Sequence, residues 1–181
     1  MENKVEVFTD GSSRGNPGPG GYGIVLKFGD KEKEVSKGFR LTTNNRMELL
    51  AVIEALSLIK SNQYPIHVYS DSKYVIESIT QKWVWNWEKK GFKGKKNADL
   101  WIKYLALHPR FNLHYHWVKG HAGHPQNERC DAMAVEAALS NNLSIDAGYE
   151  TTLLLGYSES ITVTKPERST MVPPSISPVT R

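Results

Sequence analysis

Cysteine is almost missing from this chain. Cys130 is the only one in 181 residues, so no internal disulfide can form. That usage fits a reducing compartment. No apolar run approaches the roughly 20 residues of a membrane span, which excludes a membrane-spanning reading. The first strand-like pattern starts near residue 4, leaving no room for a cleaved leader. The expected location is therefore cytoplasmic. No internal repeat is visible. The glycines between Gly11 and Gly21 are not followed by Gly-Lys-Ser/Thr, so a nucleotide-binding P-loop is excluded. Charge of neither sign dominates: the net value is +4, which leans mildly toward a polyanionic partner.

What is present begins with Val5-Glu6-Val7-Phe8-Thr9-Asp10-Gly11-Ser12. Val5, Val7 and Thr9 alternate with Glu6 and Phe8, the period of a strand, which this reading ends at Asp10. The pattern returns at residues 66–71, a second short strand delivering Asp71. Open α/β sheets place ligands at the carboxyl ends of such strands. Between the two lie strands predicted at 22–28 and 31–39, joined by Gly29-Asp30. A helix is predicted over about 45–60, with Leu49, Val52, Ile53, Leu56 and Ile59 at helical spacing. The order is an antiparallel meander, then a β-α-β unit with parallel pairing. Further helices are predicted at 73–80, 98–107 and 127–140, and a strand at 113–118. Residues 156–181 turn rich in Ser, Thr and Pro. They read as an irregular tail after a domain ending near residue 150, with Leu153 to Leu155 as its docking point.

Four acids stand at positions where chemistry could gather. Asp10 and Asp71 end strands. Glu48 follows Asn45 by three residues, which also reads as a capping box. Asp131 lies early in the last long helix, where an acid also suits the helix dipole. Taken singly, each has an ordinary structural explanation. Gathered at one sheet edge, they would repel by roughly 4 kcal/mol per pair at 4 Å in an effective dielectric of 20. Divalent cations bound through oxygen are the natural offset. Separately, Trp83, Trp85 and Trp87 interleave with a lysine-rich run containing Lys89, Lys90, Lys93, Lys95 and Lys96. Such a run is often a solvated face over core aromatics. It is also what a nucleic-acid groove requires, with cations for phosphates and rings for sugars and bases.

Several long stretches resemble bacterial type 1 ribonuclease H. They are Thr9 to Ser12, Gly15 to Gly23, Thr42 to Leu49, Ser70 to Tyr74, the Trp/Lys segment leading into Asn97 to Trp101, and Trp117 to Asp131. The resemblance runs in order from residue 1 to about 150. It implies an α/β ribonuclease H fold: a mixed five-stranded sheet flanked by helices. It implies cleavage of the RNA strand of RNA/DNA hybrids, leaving 5′-phosphate and 3′-hydroxyl ends. Asp10, Glu48, Asp71 and Asp131 would hold two Mg²⁺ ions, with Mn²⁺ as a substitute, and His121 would help protons or product leave. Trp83 and Trp87 would line a channel for the DNA strand. Thr43 and Asn97 would belong to a DNA-phosphate pocket, and Asn16, Asn44 and Asn45 would contact the minor groove. The implied protein is a monomer with no small-molecule cofactor and no membrane partner.

Two positions depart from that pattern. Leu41 stands where an Arg-x-Thr arginine is expected in the phosphate pocket; neighbouring Arg40 would point to the opposite strand face. Lys73 stands where some members of the family have Gln. Cys130 reads as a buried core position. Three rivals are weaker. A non-catalytic hybrid binder has no use for four acids beside phosphates. A strand transferase would lack the Trp/Lys segment and the histidine loop. A detached reverse-transcriptase domain fits poorly with Met1 placed directly before the first strand.

Overall fold

The computed structural model describes residues 3–120 and 122–161, the last five by backbone only. His121 and the Ser/Thr/Pro-rich residues 162–181 lie outside the described residues. Strands β1 (Val5–Ser13), β2 (Gly18–Phe28) and β3 (Lys31–Thr42) form an antiparallel meander. Helix α1 (Asn44–Leu58) then crosses to β4 (Ile66–Ser70), which pairs parallel with β1. Helices α2 (Lys73–Thr80), α3 (Trp83–Lys89) and α4 (Ala98–Leu107) lead to β5 (Leu113–Trp117), parallel to β4. Helix α5 (Pro125–Ala138), β6 (Leu143–Ser144) and α6 (Ala147–Ile161) complete the order.

The sheet has six strands, β5-β4-β1-β2-β3-β6, not the expected five. The sixth is a two-residue parallel pairing along β3, Gly38↔Leu143 and Phe39↔Ser144. Two residues carry no alternation for a sequence reading to detect.

Helix α1 is buried on most sides, with Leu49, Val52 and Leu56 fully covered. It packs with Val7, Ile24, Val68 and Trp101 in the main core. Its expected Asn45–Glu48 capping box does not form. Thr43 is the N-cap, with extended backbone and a hydroxyl that accepts from the Arg46 amide at 3.4 Å. Helix α5 covers β1 and β2 from the other side through Cys130 and Met133, which join Val25 in a second cluster; Cys130 is fully buried as expected.

Two more expectations change. β1 does not stop at Asp10; it continues to Ser13 on its β2 side. What ends there is the parallel pairing with β4, whose last partner pair is Phe8↔Tyr69. Asp10 thus lies just past the point where two parallel strands part. Past residue 150 the chain is helical through Ile161, and Leu153, Leu154 and Leu155 on this helix are 45%, 72% and 62% exposed. What anchors α6 is polar. Arg40 donates through Nε and one amino group to the Glu150 carboxylate, at 3.0 and 2.7 Å.

Candidate active site and nucleic-acid face

Two close approaches bring the acids together. A Cβ on Gly11 would run into the backbone of Met47 and Glu48, so only glycine lets α1 lie this close to β1 beside Asp10. Gly23 is the β2 partner of Asp10, and a Cβ there would strike the Cys130 carbonyl. Its absence seats α5, and with it Asp131, over the same part of the sheet.

Asp10, Glu48 and Asp71 each offer a carboxylate oxygen within 4.8 Å of the others. Asp10 and Glu48 are 6% exposed. Burial raises the Asp10 carboxyl, Asp71 and Asp131 add repulsion, and the result is pushed up to about 7 despite the Gly11 amide donating at 2.8 Å. Glu48 is raised well above its ordinary value, again by burial first and then by Asp10 and Asp71. A hydrogen bond between the two carboxyls couples their titration, and both are raised above their ordinary values. Asp131 is half-buried and lies outside the tight group of three, yet close enough to act on Asp10.

A hard divalent cation fits this donor set. The ligands are carboxylate oxygens, the type that Mg²⁺ takes. Their mutual repulsion is relieved by a cation and by no apolar ligand. The buried Oε2 of Glu48 has no hydrogen-bond partner, and a buried polar atom in that state needs a reason.

The basic segment folds into α3 and the loop after it, a helix that the sequence reading did not assign. Val84 and Phe92 are its buried anchors. Lys89, Lys90, Lys93, Lys95 and Lys96 are all exposed. Trp83 and Trp87 line a groove of about 250 Å³ with Tyr74, Ser78, Lys95 and Lys96. Lys95 Nζ lies 5.1 Å from the centre of the Trp87 ring.

Beside it is a larger cleft of about 640 Å³, lined by Asn16, Thr43, Asn45, Lys95, Lys96 and Asn97 among others. Six of the nucleic-acid residues expected from the sequence therefore meet at one depression. Asn44 is placed next to it, its amide donating to Asn16 Oδ1 at 3.2 Å. Arg40, engaged by Glu150, does not line the cleft.

The floor of the cleft is a cluster that the sequence reading missed. Arg46, 3% exposed, donates to Asp146 at 2.7 and 2.8 Å and to Asp99 at 2.8 and 2.7 Å. Thr42 Oγ1 donates to Asp146 at 2.7 Å. Asn97 and the Trp101 indole both donate to the Tyr74 hydroxyl, at 3.1 and 2.8 Å. Burial works against the Arg46 charge, but the hydrogen bonds to Asp99 and Asp146 outweigh it and raise its pKa. The one sequence signal was an arginine inside Thr42 to Leu49; nothing local names its partners.

A mixed sheet whose parallel strands part at a cluster of buried acids, beside a cationic and aromatic groove, defines a nuclease of the ribonuclease H type. The RNase H family model matches residues 2–139. The chain belongs to the RNase H family, in its bacterial type 1 branch, and is an enzyme of that class. It is 50% identical over 150 residues to ribonuclease H of Nitratidesulfovibrio vulgaris, spanning 80% of this chain and 96% of that one. It is 51% identical over 155 residues to ribonuclease HI of Vibrio parahaemolyticus, covering 83% and 99%. Among solved structures, LC9-RNase H1, a type 1 enzyme with the type 2 active-site motif, superposes with a TM-score of 0.69 at 32% identity, covering 88% of this chain and 85% of that one. LC11-RNase H1, solved with an RNA/DNA hybrid, gives 0.54 at 25% identity, covering 75% and 96%. In the described residues no helix is long and apolar enough to cross a membrane.

Proposed function

We propose that the protein hydrolyses the RNA strand of RNA/DNA hybrids, leaving 5′-phosphate and 3′-hydroxyl ends, with Asp10, Glu48, Asp71 and Asp131 holding two Mg²⁺ ions. The observation that carries this is the convergence of Asp10, Glu48 and Asp71 within 4.8 Å, two of them with raised pKa values. When bound, the ions supply an activated water and charge compensation for the departing 3′-oxygen. The chain's own residues do the rest. Asp10 and Glu48, whose carboxyls burial and mutual repulsion raise, would hold the ions as carboxylates. Asp71 approaches from β4, and Asp131 from α5. His121, outside the described residues, is the residue proposed to help protons or product leave, a role open to an imidazole, which can both take and give a proton.

Most of the grip on the substrate lies apart from the acids, on its DNA strand. Lys89, Lys90, Lys93, Lys95 and Lys96 neutralise phosphates of the DNA strand. Trp83 and Trp87 present rings to its sugars. Thr43 and Asn97 take one DNA phosphate. Asn16, Asn44 and Asn45 read the minor groove by shape, where 2′-hydroxyls mark the RNA strand. The catalytic unit is assigned to residues 1–150, with 151–181 as an extension. Mn²⁺ is expected to substitute for Mg²⁺. The protein is assigned as monomeric and cytoplasmic, and its lone buried Cys130 fits a reducing compartment.

The test uses labelled RNA/DNA hybrid, duplex RNA and duplex DNA side by side. With Mg²⁺ the RNA of the hybrid is cut and duplex DNA is spared; with EDTA nothing is cut. Hybrid binding without any metal-dependent cutting would instead establish a binding module.

A further inference from the structure

Helix α6 reaches the larger cleft. Tyr149 and Thr152 line the same depression of about 640 Å³ as Thr43, Asn45, Lys95 and Asn97. They are three residues apart, so they share a helix face. Tyr149 is half-buried and Thr152 is exposed. The lining thus comes partly from the start of α1, partly from the loop before α4, and partly from α6. The helix is fixed to the cleft floor at three points. Asp146, one residue before it, accepts from Arg46 at 2.7 and 2.8 Å. A Cβ on Gly148 would strike the Asp99 carboxylate and Arg46, so only glycine lets the first turn lie this close. Glu150 accepts two hydrogen bonds from Arg40.

The Tyr149 ring is packed on a buried cation, its centre 5.9 Å from the Arg46 guanidinium carbon. Among the described residues its hydroxyl has no hydrogen-bond partner. Thr152 instead donates its hydroxyl to the Gly148 carbonyl at 2.8 Å, so it borders the cleft without a free donor. The cleft is larger than one phosphate needs: its volume lies in the range of about 300–1,000 Å³ that encloses a drug-sized ligand. With one DNA phosphate on Thr43 and Asn97, the remaining volume takes the adjoining sugar and the next phosphate. Leu41 brings no charge to this pocket, and Arg40 is engaged by Glu150. A tyrosine suits the vacancy in the grip, with an apolar body for the sugar and a polar tip for the phosphate.

We infer that α6 is part of the substrate interface, with Tyr149 donating its hydroxyl to the DNA phosphate next to the one on Thr43 and Asn97, and Thr152 bordering the same stretch of backbone. This rests on the hybrid-cleaving reading above. It carries the interface past residue 150, into the extension. It also gives the Arg46 network a second consequence: the contacts that bury Arg46 and Asp146 set the position of a substrate-binding helix.

The experiment measures binding of labelled RNA/DNA hybrid to the full chain across salt, in EDTA, with wild-type cleavage in Mg²⁺ run alongside. Tyr149→Phe keeps the ring over Arg46 and removes the donor. It should weaken binding roughly three- to tenfold with little change in melting temperature. Thr152→Lys should tighten binding and steepen the slope of log affinity against log salt by roughly 0.7–0.9, and Thr152→Glu should weaken binding. Leu154, two residues on and about 200° round the helix from Thr152, is the control: Leu154→Lys should leave the slope as it is. Wild-type affinity in Tyr149→Phe, or equal slopes for Thr152→Lys and Leu154→Lys, would overturn the role of α6 while wild type still cuts the hybrid, and so would leave the reading beneath it standing. Wild type that neither binds nor cuts the hybrid would overturn both. Should Tyr149→Phe melt at a lower temperature, the exposed Thr152 pair decides alone.

Discussion

The indole of Trp117 donates through Nε1–H to the main-chain carbonyl of Asp71, at 3.0 Å. Trp117 ends β5 and Asp71 follows the end of β4, so one side chain ties together the two strand ends at the edge of the acid cluster. Lys73 Nζ sits over the same indole, 5.4 Å from its centre. The ring is nearly half exposed, so its value lies in this tether more than in core packing. Trp117→Phe keeps a ring and removes the donor. A hydrogen bond of this kind contributes about 1 kcal/mol. The expected outcome is a severalfold rise in the Mg²⁺ concentration for half-maximal binding, read by calorimetry, with little change in melting temperature. An unchanged metal titration would make Trp117 a surface ring with no hold on Asp71.

Arg46 sits at the opposite extreme of burial. Truncating it leaves Asp146, itself buried, without its cation. Breaking a buried pair from one side costs about 3–5 kcal/mol, which is on the order of 10 °C in melting temperature for a domain of this size. Arg46→Ala should show that loss. Arg46→Lys should recover only part of it, because an ammonium cannot serve two carboxylates with a planar fork. Asp99 adds a pH signature. Burial pushes its carboxyl up, but the Arg46 hydrogen bonds win and hold it below its ordinary value. Its contribution is therefore full above the ordinary Asp range and lost as pH falls through the lowered one. The Arg46→Ala deficit should shrink in acid. A variant as stable as wild type at pH 7 would mean the network contributes nothing net.

The acids and the cleft were unequally legible in the sequence. Asp10 and Asp71 follow short alternating runs, and alternation survives whatever the tertiary context. Thr43 and Asn97 come only through resemblance, whereas the tryptophans stand out by their interleaving with lysines and take their channel role from resemblance. Arg46 illustrates the limit: Asp146 is 100 positions away and Asp99 is 53, and no local pattern encodes a pairing at that distance. The Asn45–Glu48 capping box failed because extended backbone at Thr43 starts the helix earlier and leaves Glu48 free to face Asp10. The polar composition after residue 156 places residues 156–161, the end of α6, in the stretch expected to be irregular.

The exposed lysines should govern affinity for the hybrid and leave its chemistry alone. Lys89, Lys90, Lys93, Lys95 and Lys96, changed together to Ala, remove charge from a surface anchored by Val84 and Phe92, which are untouched. Each lost phosphate contact lowers the slope of log affinity against log salt by roughly 0.7–0.9. Hybrid binding measured across salt should weaken and its salt dependence flatten, while single-turnover cleavage at saturation stays near wild type. An unaltered slope would reduce the segment to a solvated face.

Asp10→Asn separates the role of the charge from that of the shape. In the metal-free protein the Asp10 carboxyl is pushed up to about 7, chiefly by burial and then by Asp71 and Asp131. Its folded pKa lies above its unfolded one. Between about pH 4 and 7 the folded state therefore binds more protons than the unfolded state, and stability falls as pH rises through that window. An asparagine carries no such charge. In EDTA at pH 7, Asp10→Asn should be more stable than wild type by about 1–3 kcal/mol, at 1.36 kcal/mol per unit of pKa before screening. Mg²⁺ should raise the wild-type melting temperature and raise the variant's by less, because the variant has lost one ligand. With Mg²⁺, hybrid binding should persist, since the lysines, Trp83 and Trp87 are unaltered. Cleavage should fall at least roughly a hundredfold, a barrier increase near 2.7 kcal/mol. The two expected effects have opposite signs and one cause, the negative charge of Asp10. A variant that is both less stable in EDTA and fully active would show that the carboxylate at the parting of β1 and β4 holds the fold and takes no part in the chemistry.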